Sequence, residues 1–244
     1  MNLIIDIGNT RTKAALFENK ACQAFKIYNS LRDLLNDPDF FKNAQKAIIT
    51  SVVSGQENEY ELLNTMIPVI VFTTNTPIPI RNLYQSSATL GSDRLCASIA
   101  GFELYPNRDV LSIDAGTCIK YNFVNSQNEY LGGGISPGLT MRFKALEYFT
   151  SKLPLVEFDL KNHPLIGNNT QNSIISGVIN GSISEVDGII SSYKVQYPQI
   201  LVLLTGGDSE FLAKQLKNSI FTHQNLVLKG LNHILNYNLE LQKP

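Results

Sequence analysis

Two segments of the chain carry the same residue types in the same order, and these types suit phosphate chemistry. An apolar run followed by Asp-x-Gly and then Thr occurs at residues 3–10 and again at residues 110–117. Glycine lets the backbone approach an anion, threonine supplies a hydroxyl, and aspartate supplies a hard oxygen for a metal ion or its water shell. A second apolar stretch follows each copy, so each copy predicts a strand–turn–strand hairpin that binds phosphate.

The repeat predicts a duplicated domain with a nucleotide in the cleft between the halves. Strand-like and helix-like patterns alternate along the chain, which predicts an α/β fold. The segment Tyr105–Asp109 separates two similar halves, so we expect domains at residues 1–108 and 109–244. The segment from Thr73 to Leu90 has little periodicity and is expected to be a long functional loop.

The element Leu90-Gly91-Ser92-Asp93-Arg94 stands at the predicted start of a helix, directly after that loop. A structural explanation is helix capping, in which an acidic residue complements the helix dipole. The functional interpretation gives Asp93 the task of accepting a hydroxyl proton, and Arg94 that of holding an anionic group. We favour function, because the preceding loop could form a substrate wall.

Two glycine-rich segments are weaker signals. Gly206-Gly207-Asp208 turns a predicted strand into a helix and could present N–H groups to an anion or to a ribose. The segment Gly132–Gly138 is expected to be a loop before a helix, and a tight connection is its structural alternative. The sequence contains no Walker A motif, so a bound ATP requires a different scheme.

Composition narrows the class of protein. A formal net charge of −1 gives no support to a nucleic-acid-binding or membrane surface. The three cysteines are widely spaced, which fits neither a disulfide framework nor a zinc site and favours the cytoplasm. No apolar run is long enough to span a bilayer, and the N-terminus lacks the pattern of a signal peptide.

In order and spacing, the motifs resemble those of the type III pantothenate kinases, which belong to the acetate and sugar kinase, Hsc70 and actin superfamily. The resemblance covers residues 2 to about 235. Its most specific parts are Gly91-x-Asp93-Arg94 and the segment Leu131–Gly138; the others are Asp6–Lys13, Asp114-x-Gly116-Thr117, Asn169-Thr170 and Thr205–Asp208.

The resemblance implies two duplicated ribonuclease H-like (actin-like ATPase) domains. It also implies ATP-dependent phosphorylation of pantothenate to 4'-phosphopantothenate, the first step of coenzyme A biosynthesis, in a cytoplasmic homodimer. The implied cofactors are Mg²⁺ with ATP and a monovalent cation, K⁺ or NH₄⁺.

The resemblance also assigns site residues. Asp93 would be the proton acceptor, and Asp114 would be the ligand of the monovalent cation. The ATP phosphates would contact Asp6, Ile7, Gly8, Asn9, Thr10, Arg11, Thr12, Lys13 and Thr117. Pantothenate would contact Tyr84, Gly91, Ser92, Asp93, Arg94 and Thr170. Two positions depart from the family pattern: Ser87 stands where Pro is frequent, and Lys120 stands where a small hydroxyl residue is frequent.

Two alternatives stay open. One is another small-molecule kinase or a phosphatase of the same superfamily, although a sugar kinase would normally be larger. The other is a non-catalytic nucleotide-binding regulator, which would not need Asp93. For assembly, the stretch Ile174–Ile190 is apolar on more than one face, so we expect part of it to form a two-fold interface. A fully buried internal helix is the structural alternative.

Overall fold

The computed structural model describes residues 1–160 and 163–242. Contacts divide the chain into two compact units. Unit 1 consists of residues 1–107, 124–131 and 225–244, and unit 2 consists of residues 108–123 and 132–224. The C-terminal segment therefore groups with the N-terminal unit, which a single division after residue 108 does not capture.

Unit 1 is built on a five-stranded sheet in the order β3-β2-β1-β4-β5. Neighbouring strands are antiparallel from β3 to β1 and parallel from β1 to β5. The strands are β1 (Asn2–Ile7), β2 (Thr12–Glu18), β3 (Ala21–Tyr28), β4 (Lys46–Ser51) and β5 (Val69–Val71). A short strand, β6 (Arg81–Asn82), follows.

The two faces of this sheet bury different residues, because side chains alternate along a strand. Leu3, Ile5 and Ile7 belong to one cluster, with α1 (Leu31–Leu35), α2 (Pro38–Phe41) and α3 (Glu57–Met66). Ile4 belongs to the other cluster, with α4 (Ser92–Leu104) and α8 (Leu226–Leu241). Residues with the parity of Ile4, such as Asp6, therefore lie on the face that carries α4.

Unit 2 contains β7 (Val110–Ala115), most of β8 (Cys118–Val124), most of β9 (Glu129–Pro137), β10 (Leu201–Thr205) and β11 (Phe221–Thr222). Strands β7 and β10 are parallel. The helices are α5 (Leu139–Tyr148), α6 (Thr170–Gln196) and α7 (Ser209–Gln215). A core cluster joins alternate residues of β7 and β8 to α6 and β10.

Several expectations about local structure need correction. Gly132–Gly138 is not a loop: β9 runs through it to Pro137, so Gly132, Gly133 and Gly134 lie in a strand and Gly138 is the N-cap of α5. The predicted helix at residues 31–41 is two short helices, because Pro38 follows Asp37 and starts a new helix. Strand β3 and helix α8 were not predicted.

The expected interface stretch Ile174–Ile190 is mostly buried within unit 2. Ile174, Ile175, Val178, Ile179, Val186 and Ile190 are each less than 8% exposed. The first half of α6 packs in one core cluster and its second half packs in another. The argument from excess apolar surface was therefore wrong for this stretch, because one long helix serves two cores.

Candidate functional site

The first hairpin, β1 to β2, ends in a turn of residues 8–11. The N–H of Gly8 donates to the carbonyl oxygen of Arg11 at 3.0 Å, which closes the turn. Asn9, Thr10 and Arg11 are exposed, and Asp6 lies opposite Lys13 in the strand register. Within the predicted phosphate-binding segment, the turn is thus accessible. Ile7 and Thr12 are at most 2% exposed, so only their backbone groups could contact a nucleotide.

The predicted proton acceptor lies in the first turn of α4. The Oδ1 atom of Asp93 accepts a hydrogen bond from the N–H of Arg94 at 2.9 Å. A Cβ atom at Gly91, the N-cap residue, would lie 2.7 Å from that Oδ1 atom. A glycine at position 91 therefore leaves room for the Asp93 carboxylate in its observed position. The same contact also fits the structural alternative, in which Asp93 stabilises the helix start.

The carboxyl ends of β1 and β4 meet the start of α4. Thr50 lies opposite Asp6 in the parallel register, and its hydroxyl donates to Oγ of Ser92. Thr50 is fully buried, so this bond ties β4 to the residue before Asp93. Thr50 was not among the predicted site residues. Its position at the end of a predicted strand beside β1 was the only signal in the sequence.

Cys96 shows that Asp6 and Asp93 occupy the same neighbourhood. Burial raises the pKa of the Cys96 thiol well above its usual range, and the negative charges of Asp6 and Asp93 raise it further. The thiol is therefore held protonated and inert. Two carboxylates from distant parts of the sequence thus approach one buried residue, as expected if both serve a single site.

Arg94, the residue after Asp93, lies against the ring of Tyr84. Arg94 is only 5% exposed, and its guanidinium carbon lies 5.4 Å from the centre of the Tyr84 ring. Such a contact stabilises a cation over an aromatic face. The Tyr84 N–H donates to Oδ1 of Asn82, and the N–H of Leu83 donates to the carbonyl oxygen of Tyr130. These hydrogen bonds next to β6 therefore hold the otherwise irregular loop in place at Leu83 and Tyr84.

Two cavities lie in unit 1. A cavity of about 190 Å³ is lined by Asn82, Leu95 and Ser87, the position of the first departure from the family pattern, together with residues of the loop that follows β5. A larger space of about 830 Å³ lies at the opposite, amino-terminal end of β1, where Lys20 and His233 contact Glu103. The larger cavity includes none of the predicted site residues.

The second hairpin, β7 to β8, has a tighter turn, in which the N–H of Gly116 donates to the carbonyl oxygen of Cys118 at 3.0 Å. Thr117 is exposed at its tip. The Nζ atom of Lys120 lies 2.8 Å from Oδ2 of Asp114, and both side chains are 19% exposed. The predicted cation ligand therefore already contacts a positive charge.

Backbone from two other segments encloses this turn. The N–H of Gly138 donates to the carbonyl oxygen of Thr117, and the N–H of Asp208 donates to that of Ala115. A Cβ atom at either Gly138 or Gly206 would overlap hairpin backbone, and Gly206 also has a φ of +98°. Burial raises the pKa of the Asp208 carboxyl.

The end of β9 is held by a group of side chains that was not predicted. The Arg142 guanidinium donates to the carbonyl oxygen of Pro137, to Oγ of Ser136 and to Glu185 on α6. Tyr121 also donates to Glu185. No pattern in the sequence indicated this group, because Arg142 and Glu185 lie on two helices that only the fold brings together.

Thr170, the remaining predicted pantothenate contact, is the exposed first residue of α6 in unit 2. The N-cap residue Asn169 accepts a hydrogen bond from the N–H of Asn172 at 2.8 Å. Asn169 therefore has a local structural role, while the role of Thr170 stays a prediction.

Among the residues that the structure describes, no cluster of three or more His, Cys, Asp or Glu side chains could hold a metal ion. Within residues 1–160 and 163–242, no helix combines the length and apolar character needed to cross a bilayer.

The fold defines the class of protein. The structure of a putative Baf family transcriptional activator from Campylobacter jejuni is 22% identical, with a TM-score of 0.66 and coverage of 98% of this chain and 99% of that one. A putative N-acetylmannosamine kinase from Listeria monocytogenes is 12% identical, with a TM-score of 0.58 and coverage of 99% of both chains. The chain therefore has the α/β fold of the actin-like and sugar-kinase class, which confirms the predicted fold.

The comparison of sequences is more specific. The family model described as type III pantothenate kinase matches residues 2–192. Proteins named type III pantothenate kinase are 45% identical in Bacteroides fragilis, covering 98% of both chains, and 37% identical in Flavobacterium johnsoniae, covering 98% of this chain and 99% of that one. The chain belongs to the type III pantothenate kinase family.

Proposed function

We propose that the protein transfers the γ-phosphoryl group of ATP to the primary hydroxyl of pantothenate and forms 4'-phosphopantothenate, the first step of coenzyme A biosynthesis. The chain matches this family over nearly its full length, and this membership supports the reaction. The single observation that carries it is the link through Thr50, which lies opposite Asp6 in the strand register and donates to Ser92, the residue before Asp93. A phosphate-hairpin carboxylate and a candidate base therefore lie at the same edge of the sheet.

Asp93 would accept the proton of the attacking hydroxyl. Its Oδ1 atom accepts a hydrogen bond from the N–H of Arg94 in the first turn of α4, and a carboxylate can accept several hydrogen bonds at once. Arg94 would hold the anionic end of pantothenate, and its buried guanidinium is already oriented by Tyr84. Gly91 and Ser92 would complete this wall of the pocket.

The nucleotide would be held by the first hairpin. The accessible turn of residues 8–11 offers backbone N–H groups, and Lys13 places a cation across from Asp6. Thr117 would contribute its exposed hydroxyl. Phosphoryl transfer depends mainly on positioning and on stabilising charge at the transferring oxygens, which these groups suit.

The nucleotide implies Mg²⁺, and Asp6 is a fitting partner. Magnesium usually keeps several waters and binds one or two carboxylates together with substrate phosphates, so it needs no protein cage of three acidic residues. Asp6 is a partly exposed carboxylate at the end of β1 beside the turn. When bound, Mg²⁺ would neutralise charge on the ATP phosphates.

The implied K⁺ or NH₄⁺ ion fits less well. Its expected ligand, Asp114, has one carboxylate oxygen 2.8 Å from the Lys120 ammonium. A second cation on that oxygen would be repelled by the first. The chain thus offers its own positive charge where the ion would bind.

A homodimer in the cytoplasm is part of the proposal. The exposed apolar residues of unit 2 give the assembly its support: Tyr148 and Phe149 at the end of α5 are 78% and 79% exposed, and Leu165 and Ile166 are each 82% exposed. The carbonyl oxygen of Leu165 accepts a hydrogen bond from Ser176, so the backbone of Leu165 is held beside α6. Light scattering over a dilution series, with specific activity measured alongside, would contradict the dimer if a monomer kept full activity.

The activity is tested by ADP release from ATP and Mg²⁺ in the presence of pantothenate, with mass spectrometry of the product. We expect pantothenate-dependent ADP and a phosphorylated pantothenate. N-Acetylmannosamine and glucose serve as control acceptors and should give no increase above background. A folded sample that phosphorylates a sugar but not pantothenate would show that the alternative small-molecule kinase was correct, and a sample that binds ATP without turnover would indicate the regulator.

A further inference from the structure

Asp114 and Lys120 form an ion pair that is largely shielded from solvent. Their closest atoms, Oδ2 and Nζ, are 2.8 Å apart, and each side chain is only 19% exposed. A charge-assisted hydrogen bond has this length. At this degree of burial, screening by water and salt is weaker than for a surface pair, so the two charges act on each other strongly.

The hairpin itself places these two residues together. The N–H of Gly116 donates to the carbonyl oxygen of Cys118, and continuing that antiparallel pairing away from the turn puts Asp114 opposite Lys120. The odd-numbered residues of both strands, including Ala115 and Ile119, belong to the unit 2 core. Since side chains alternate, Asp114 and Lys120 share the other face. The strand register therefore places the two side chains beside each other on one face, within reach of an ion pair.

The Lys120 ammonium supplies what a bound NH₄⁺ would supply at Asp114. Both carry one positive charge and N–H donors that reach a carboxylate oxygen. The lysine group is compact and is attached by a flexible chain, so it can be held at an ion position without being lost to solvent. A free ion must instead be bound from solution and competes with this tethered charge for the same oxygen.

We infer that Lys120 replaces the monovalent cation at Asp114, so that this kinase works without added K⁺ or NH₄⁺. The inference rests on the proposed kinase function, and it goes beyond that function by assigning the positive charge at the second hairpin to the protein itself. The family resemblance implies that a monovalent cation is required, whereas this inference predicts that none is required.

The test compares ion dependence before and after the ammonium is removed. Activity with ATP, Mg²⁺ and pantothenate is measured in choline, Na⁺, K⁺ and NH₄⁺ chloride at one ionic strength. Lys120→Ser leaves space for an ion, whereas Lys120→Met removes the charge but fills the space. Lys144→Ser removes an exposed lysine of α5 and is the matched control.

For the wild-type protein and Lys144→Ser we expect the same rate in all four salts. For Lys120→Ser we expect a fall in kcat of about 10²-fold in choline, typical of the loss of one electrostatic contact, with recovery in K⁺ or NH₄⁺. Lys120→Met should lose activity and should not recover. A wild-type rate that rises many-fold with K⁺ would overturn the inference, and so would a folded Lys120→Ser that is fully active in choline or inactive in every salt.

Thermal unfolding separates this inference from the proposed activity. An ion that binds the folded protein raises the unfolding temperature. We expect K⁺ to raise that temperature, relative to choline, for Lys120→Ser but not for the wild-type protein. If no salt gives pantothenate-dependent ADP, the proposed function fails, and the unfolding temperatures still decide the inference. A K⁺-dependent rise in the wild-type protein would contradict it, as would the absence of a rise in Lys120→Ser.

Discussion

The two hairpins use the same residue types in different surroundings. Asp6 faces Lys13 across the first, and Asp114 contacts Lys120 across the second. The first has an exposed turn at residues 8–11, and Asp6 lies on the face that carries α4. The second has a shorter turn, over which the backbone of Gly138 and of Asp208 forms hydrogen bonds.

This difference indicates a division of labour within a duplicated motif. An exposed turn can receive and release a phosphate group in each cycle, and its carboxylate lies near the candidate base. A turn enclosed by other backbone segments cannot move without breaking several contacts, which suits a fixed charge. We therefore expect the first motif to exchange a ligand and the second to give rigid support.

The largest effect should come from removing the base beside the open hairpin. Asp93→Asn keeps the shape of the side chain but lacks the proton acceptor, so we expect kcat to fall by about 10²–10⁴-fold. ATP binding, measured by calorimetry, should be unchanged, because Asp93 is assigned to the hydroxyl. Asp33→Asn, at an exposed position of α1, is the control. A kcat near that of the wild-type protein would show that Asp93 only stabilises the helix start.

Next in size is the effect of crowding the enclosed hairpin. Gly206→Ala adds a Cβ atom that overlaps the backbone of Ala115 at a φ of +98°, so we expect the free energy of unfolding to fall by about 3 kcal/mol. Gly207→Ala adds its Cβ atom in open space and should cost far less. In the open hairpin, a Cβ at Gly8 would lie 3.3 Å from the Arg11 carbonyl oxygen, and the cost should be about 1 kcal/mol.

Urea unfolding of the three glycine variants tests the contrast directly. Equal destabilisation by Gly206→Ala and Gly8→Ala would remove the distinction between an enclosed and an open turn, and Gly207→Ala is the control for the substitution itself.

A smaller effect is expected from loss of the hydrogen bond between Thr50 and Ser92, beside the open hairpin. Thr50→Val has nearly the same shape but cannot donate to Ser92, so the free energy of unfolding should fall by about 1 kcal/mol, the usual value of one hydrogen bond. Because Ser92 precedes Asp93, kcat should also decrease, by less than in Asp93→Asn. Full stability together with full activity would show that the Thr50–Ser92 bond positions nothing.

The smallest effect concerns Glu185, which supports the segment that covers the second hairpin. Burial alone would raise its pKa, but hydrogen bonds from Arg142, Ser136 and Tyr121 outweigh burial and lower it. A lowered pKa in the folded state adds stability above the ordinary glutamate pKa, and this stability is lost as the pH falls through the lowered value.

Glu185→Gln should therefore reduce the free energy of unfolding at neutral pH by about 1 kcal/mol or less, since the group is partly exposed. The difference from the wild-type protein should shrink in acid. Urea unfolding at several pH values measures it, and a difference that grew in acid would contradict the assigned direction.

The sequence predicted what depends on local pattern. Both hairpins, the start of α4 at Ser92 and the turn at Gly206–Asp208 follow from apolar runs broken by Gly, Asp and Thr, and the structure has each of them. The fold class followed from the repeat and was confirmed. The roles of individual site residues stay predictions, because spacing indicates which residues are grouped but not which ligand they contact.

What the sequence did not reveal depends on tertiary contacts. The segment before Gly138 has the composition of a loop, yet its pairing along β9 makes it a strand. Helix α6 has more apolar faces than one core needs, and only the fold shows that it serves two. The pairing of Lys120 with Asp114 could have been suspected from the departure at position 120, but the distance between them required the structure.

Helix α8 has a consequence for the order of events during synthesis. Its residues Leu228, Leu231, Ile234 and Leu235 complete a core of unit 1 with Ile4 and Cys96, and a Cβ atom at Gly230 would overlap the carbonyl oxygen of Cys96. The ribosome makes all of unit 2 between these partners. The apolar face of unit 1 therefore stays uncovered until unit 2 has been synthesised and α8 follows. During that interval the exposed apolar surface is of the kind that chaperones bind.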